Sequence, residues 1–128
     1  MQKESFSFRK RIRSFAYAFN GLKILFSTQH NARIHGVCAI IAIVLGLYFS
    51  ISDTEWIAVT ISIGMVISAE AFNSSIETLC NAISPEYNHQ IKATKDLAAG
   101  AVLVVALTAL VIGSLIFIPK FIGVFIVL

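Results

Sequence analysis

Three observations predict an all-α integral membrane protein: 57% of the 128 residues are apolar, only 13% are charged, and the apolar residues gather into three long runs. A mean hydropathy of +0.82 leaves too little polar surface for a soluble globule, so the bilayer is the expected solvent. The expected order is an N-terminal amphipathic interfacial helix at about 5–30, transmembrane helices at about 34–52, 56–83 and 97–118, and an apolar tail at 119–128, all in one membrane domain.

The interfacial helix follows from spacing. Phe8, Ile12, Phe15, Phe19, Leu22 and Phe26 recur in steps of four and three, the stripe of an amphipathic helix, with Arg9, Lys10, Arg13 and Lys23 off that stripe. Lys3, Arg9, Lys10, Arg11, Arg13, Lys23 and Arg33 are seven of the ten basic residues, and this front suits an anionic membrane surface. Nucleic acid is not an expected partner, because the chain has no long soluble basic face to follow a phosphate backbone. A cleaved signal peptide is disfavoured, since no uninterrupted apolar run follows the basic residues until Gly36.

The first span is uncharged from Gly36 to Ser52, and the second runs from Trp56. The third starts after the basic loop of Lys92 and Lys95, and Pro119 is expected to end it. The link at Ser52-Asp53-Thr54-Glu55 is acidic, whereas the front and the Lys92–Lys95 loop are basic. The positive-inside rule therefore places the N-terminus in the cytoplasm and the first loop outside. The tail is too short to span again and is expected in the outer interface. Cys38 and Cys80 have no Cys-x-x-Cys context and read as packing residues.

The second span carries the chemistry. Glu70, Asn73 and Glu77 interrupt an otherwise apolar helix, and a charged side chain there costs roughly 2.5–3.5 kcal/mol on insertion scales, so such groups mark a site by default. Offsets of three and seven residues place all three on one face. The glutamates stand roughly 10 Å apart along the axis, too far to share one small ion directly. Glu70, deeper in the apolar phase, is the better general base; Glu77 is better placed to hold a hydrated Mg²⁺; Asn73 can orient either. The competing reading makes the stripe an assembly face, bonded to neighbouring chains for about 0.6–2 kcal/mol per contact.

At the expected start of the third span, Asp96 reads as an N-terminal cap and Lys95 as a solvated anchor, yet both emerge on the side of Glu77 and could receive nucleotide phosphates. Ala98, Ala99, Gly100 and Ala101, with Gly64 and Ser68, form small faces suited to close helix packing. His30, His35 and His89 are expected to be solvated rather than ligands. No Walker-type or protein-kinase signature is present, so a nucleotide site here would be of an unrelated kind.

Glu70-Ala71-Phe72-Asn73-Ser74-Ser75-Ile76-Glu77 resembles the Glu-x-x-Asn-[Ser/Thr]-x-[Ile/Val]-Glu signature of the prokaryotic diacylglycerol kinase and undecaprenol kinase family. Lys95-Asp96-Leu97-Ala98-Ala99-Gly100-Ala101-Val102 resembles its second signature, and 17–22, Asn31-Ala32-Arg33-Ile34-His35 and Ser84-Pro85-Glu86-Tyr87 also match its pattern. The resemblance implies a homotrimer of three-span subunits that transfers the γ-phosphate of ATP to the hydroxyl of a membrane lipid. The expected acceptor is diacylglycerol, giving phosphatidic acid, with undecaprenol as the alternative. It further implies Glu70 as general base, Asn73 as a supporting site residue, Glu77 as a Mg²⁺ ligand, and Lys10, Tyr17, Glu86, Lys95 and Asp96 as nucleotide contacts.

Two positions depart from that pattern. Gln29 stands where the family places a second metal-binding glutamate, and Asn81 where it usually has aspartate. Two classes of function follow: an active Mg²⁺- and ATP-dependent lipid kinase, or a catalytically silent membrane protein that keeps the fold for binding or assembly.

Overall fold

The computed structural model describes residues 7–127, leaving out of account residues 5 and 6 of the expected interfacial helix and Leu128 of the tail. Four helices follow one another: α1 (Phe8–Thr28), α2 (His30–Tyr48), α3 (Asp53–Ile83) and α4 (His89–Val127). The last three are long and apolar enough to cross a membrane. Large apolar side chains point outward along them, among them Leu47, Leu115 and Ile126, as lipid-facing helices require.

A single residue separates α1 from α2. Gln29 is extended, with φ −101° and ψ 116°, and so breaks the helical path between Thr28 and His30. Arg33 fixes this elbow from the far side. Its Nε donates to the Phe26 carbonyl at 2.8 Å and its Nη2 to that of Ser27, occupying two C-terminal carbonyls that α1 cannot pair internally. The Phe26 ring lies against Gly36, where an added Cβ would meet it at 3.1 Å. The first spanning helix therefore begins at His30, ahead of the expected residue 34, because Asn31-Ala32-Arg33-Ile34-His35 is already helical.

The turn from α2 to α3 is equally tight. Ile51 N–H donates to the Gly46 carbonyl at 3.1 Å and Ser50 N–H to that of Leu47 at 3.3 Å, the paired bonds of a Schellman ending. Ser50 takes the left-handed conformation this requires, with φ 48°. Ser52 then caps α3: its hydroxyl accepts from Glu55 N–H at 3.3 Å while Glu55 Oε2 accepts from Ser52 N–H at 2.8 Å. The acidic link is thus the first turn of α3.

α3 packs chiefly on α4 and along less of its length on α2. Their shared core lies toward the end remote from Lys92 and Lys95, where Ile51, Val59, Ile116 and Phe117 are buried and Trp56 covers Gly46. Between spanning helices such packing, rather than escape from water, holds the bundle together.

α4 departs most from expectation. It starts at His89, well before residue 97, because Asn88 Oδ1 accepts from Gln90 N–H at 2.9 Å and Ile91 N–H at 3.2 Å as an N-terminal cap. Asp96 is therefore no cap; it sits in the second turn, paired with Lys92. Nor does Pro119 end the helix, which continues to Val127. Proline there forfeits a backbone bond, but Phe121 stacks edge-on against Phe49 at 5.0 Å and Lys120 bonds Glu55 at 2.7 Å, so tertiary contacts hold the continuation.

Candidate functional site

Glu70 is 2% exposed, the one charged residue buried among the described residues. Its partner comes from α2: His35 Nε2 lies 3.2 Å from Glu70 Oε1, an ion-pair distance once the imidazole is protonated. The contact does not meet hydrogen-bond geometry, and Oε1 has no hydrogen-bond partner. Asn73 Oδ1 and Ser74 Oγ, within the next turn, are also buried without partners. Buried polar atoms are nearly always paired, so three orphans within five residues set this stretch of α3 apart.

The expected single polar face is divided. Glu70 turns to His35 on α2, whereas Asn73 lines a groove between α3 and α4 together with Gly64, Ser68, Ala98 and Ala101. Of these small residues Ala98 is buried, but Gly64 and Gly100 have open space where a Cβ would stand, so neither draws the two helices closer within this chain. Glu77 is half-buried, two turns beyond Glu70.

One turn past Glu77 a second group gathers. Asn81, Glu86, Tyr87, Lys92 and Lys95 line a pocket under the Ser84–Asn88 connection, and Lys95 Nζ donates to Asn81 Oδ1 at 2.5 Å. The aspartate-to-asparagine departure thus places a neutral acceptor, not a countercharge, on Lys95. Asp96 is exposed and held by Lys92, one turn before it in the same helix.

The remaining expected residues are Gln29, Lys10 and Tyr17. Gln29 lines a groove between α1 and α3 with Thr28, Ser74, Ser75 and Thr78, because the elbow turns it toward α3. α1 meets that groove through Gly21, Ile24 and Leu25, while Lys10 and Tyr17 lie further toward its N-terminus, Tyr17 being 68% exposed. Among the described residues no three His, Cys, Asp or Glu side chains converge as a metal-binding group.

Sequence reasoning passed over His35 and Ser74. Ser74 sits four residues after Glu70, a helical neighbour that periodicity could have flagged. His35 was expected to be solvated, but the early start of α2 carries it into the bundle, where it also lines an apolar cavity of about 130 Å³ between the three spanning helices.

The family described as prokaryotic diacylglycerol kinase matches residues 16–117. An undecaprenol kinase of Bacillus subtilis is 35% identical over 108 residues, covering 84% of this chain and 88% of the relative. A diacylglycerol kinase of Synechocystis is 34% identical over 110 residues, covering 83% of this chain and 61% of the relative. The diacylglycerol kinase of Escherichia coli K12 is 24% identical over 111 residues, covering 87% and 91% respectively. With the match running from within α1 to the far part of α4 and including both polar groups, the chain belongs to the prokaryotic diacylglycerol kinase family of lipid kinases.

Proposed function

We propose that the chain transfers the γ-phosphate of ATP to the hydroxyl of a membrane lipid, with Glu70 as general base. The observation that carries this reading is the buried Glu70 carboxylate with an unpartnered oxygen, at the head of the Glu-x-x-Asn-Ser-x-Ile-Glu segment on a spanning helix. A carboxylate with little water around it is a competent acceptor for the proton of an alcohol, and the apolar surroundings suit a lipid carrying that alcohol. In the step, the lipid O–H proton passes to Glu70, the hydroxyl oxygen forms a bond to the γ-phosphorus, and the bond from that phosphorus to the β,γ-bridging oxygen breaks to release ADP.

Asn73 Oδ1 and Ser74 Oγ have unfilled bonding capacity beside Glu70 and would orient the acceptor. Lys95, with Glu86 in the same pocket, is placed to meet the nucleotide, and Lys95 supplies the positive charge. Asp96, held by Lys92 of the same pocket, and Lys10 and Tyr17, toward the N-terminus of α1, would join as outer contacts. Glu77 stands between the two groups and fits Mg²⁺ carried by the phosphates, since this ion takes one or two carboxylates and otherwise waters and phosphate oxygens. When bound, the ion would neutralise charge on the phosphates; Gln29 offers at most a neutral oxygen.

For the acceptor we favour a polyprenol, because the undecaprenol kinase combines 35% identity with 88% coverage of its own length. Diacylglycerol is the second reading, favoured by the 34% identical diacylglycerol kinase of Synechocystis. The outward apolar faces support assembly with further copies, and we place the homotrimer in the bacterial inner membrane with its N-terminus in the cytoplasm. The test is labelled phosphate transfer from Mg²⁺-ATP to undecaprenol and to diacylglycerol, side by side in one detergent. Faster transfer to undecaprenol is expected; no product from either would leave the catalytically silent membrane protein as the correct reading.

A further inference from the structure

A general base must lose its proton before the next turnover, and Glu70 is poorly placed to do so alone. Its side chain is 3% exposed, with Val66 and Ile67 in the α3 turn before it. His35 is different: its side chain is 25% exposed, its Nε2 stands 3.2 Å from Glu70 Oε1, and it lines the cavity between the spanning helices.

The other charged and titratable groups around this pair have different engagements. On α2, Arg33 turns its guanidinium to the Phe26 and Ser27 carbonyls, and Cys38 lines the same cavity one turn along. On α3 the next ionisable residue toward the loop is Glu77, roughly 10 Å along the axis. The α4 residues facing the cavity, Ala109, Ile112, Gly113 and Phe117, carry no ionisable group, and α1 does not line it.

We propose that His35 acts through Glu70 as the group that clears its proton, an inference that rests on Glu70 being the base. After transfer, the Glu70 O–H bond breaks and a His35 Nε2–H bond forms, leaving a carboxylate paired with an imidazolium. The imidazolium then gives up a proton to water and returns to the neutral tautomer with Nε2 free. The class of device is a histidine and a carboxylate 3.2 Å apart, close enough for a proton to pass from one to the other.

The test compares kcat and KM for wild type, His35→Gln and His35→Ala in full-length protein, with elution and helicity in detergent matched to wild type. An amide can hold a carboxylate but cannot carry a proton. His35→Gln is therefore expected to lower kcat about 100-fold, the lower end of what a positioned proton-transfer group contributes, with KM for ATP and lipid within about twofold. Added imidazole should restore at least about 10-fold of the lost rate to His35→Ala, as expected when a diffusible base replaces a missing proton carrier, and none to Glu70→Gln. A wild-type kcat in His35→Gln, or a deficit in His35→Ala that imidazole leaves unchanged, overturns the inference. Wild-type transfer that requires Glu70 separates the two claims: with it, indifferent His35 variants sink this inference alone, and without it both fall.

Discussion

Glu55 and Lys120 join the first turn of α3 to the far end of α4: one carboxylate oxygen caps Ser52 N–H while the other accepts from Lys120 Nζ at 2.7 Å. The lysine follows directly on Pro119, at the point where sequence rules expect a helix to stop. A contact between residues 65 apart thus decides the local structure.

Removing that contact should loosen only the continuation of α4. Lys120→Ala is expected to raise amide exchange at residues 121–126 while leaving the middle of α3 protected, as measured by hydrogen exchange on the protein in detergent. Equal exchange in the two proteins would mean that the Phe49–Phe121 stacking alone suffices.

Gly46 should tolerate no side chain. An added Cβ would stand 2.7 Å from the Trp56 ring and 3.1 Å from Ile51, both parts of a packed core. Gly46→Ala is expected to destabilise by about 1–3 kcal/mol, the usual cost of overpacking, and to shift the emission of the single tryptophan. Denaturant titration followed by fluorescence checks both.

Ser50 offers the opposite sign. Its φ of 48° crowds a β-carbon that glycine lacks. Ser50→Gly is expected to stabilise by about 0.5–1 kcal/mol, net of glycine's greater unfolded freedom, with the same titration as the readout.

Much of this was legible in the residues, for physical reasons that also mark where legibility ended. The spacing from Phe8 to Phe26 and the apolar runs report helix faces and spans directly, because periodicity and hydropathy are properties of the chain itself. Glu70 stood out for the same reason: a charge in an apolar helix is visible without coordinates. The helix ends were misplaced where side chains far from the obvious runs do the capping, as Asn88 does for α4 and Arg33 for the α1–α2 elbow. His35 was misjudged because its meaning depends on α2 meeting α3, a juxtaposition of residues 35 apart that no local pattern contains. The division of the Glu70, Asn73 and Glu77 stripe likewise needed the neighbouring helices, since a face of one helix can border two partners.

Lys95 tests the loop pocket. It is the basic residue there without a carboxylate partner among the described contacts, bonded instead to neutral Asn81. Lys95→Met is expected to raise KM for ATP about tenfold or more, the effect of losing one charge-assisted bond to phosphate, with KM for the lipid unchanged. A rise confined to the lipid would place the nucleotide elsewhere.

The measurement closest to the central claim is phosphate transfer by Glu70→Gln, an isosteric change that keeps the buried volume and removes the base. With labelled Mg²⁺-ATP and undecaprenol or diacylglycerol, turnover is expected to fall at least about 10²–10⁴-fold while helicity and elution match wild type. Transfer at the wild-type rate by Glu70→Gln would contradict the account, because the buried carboxylate would then be structural and the base would have to be sought elsewhere.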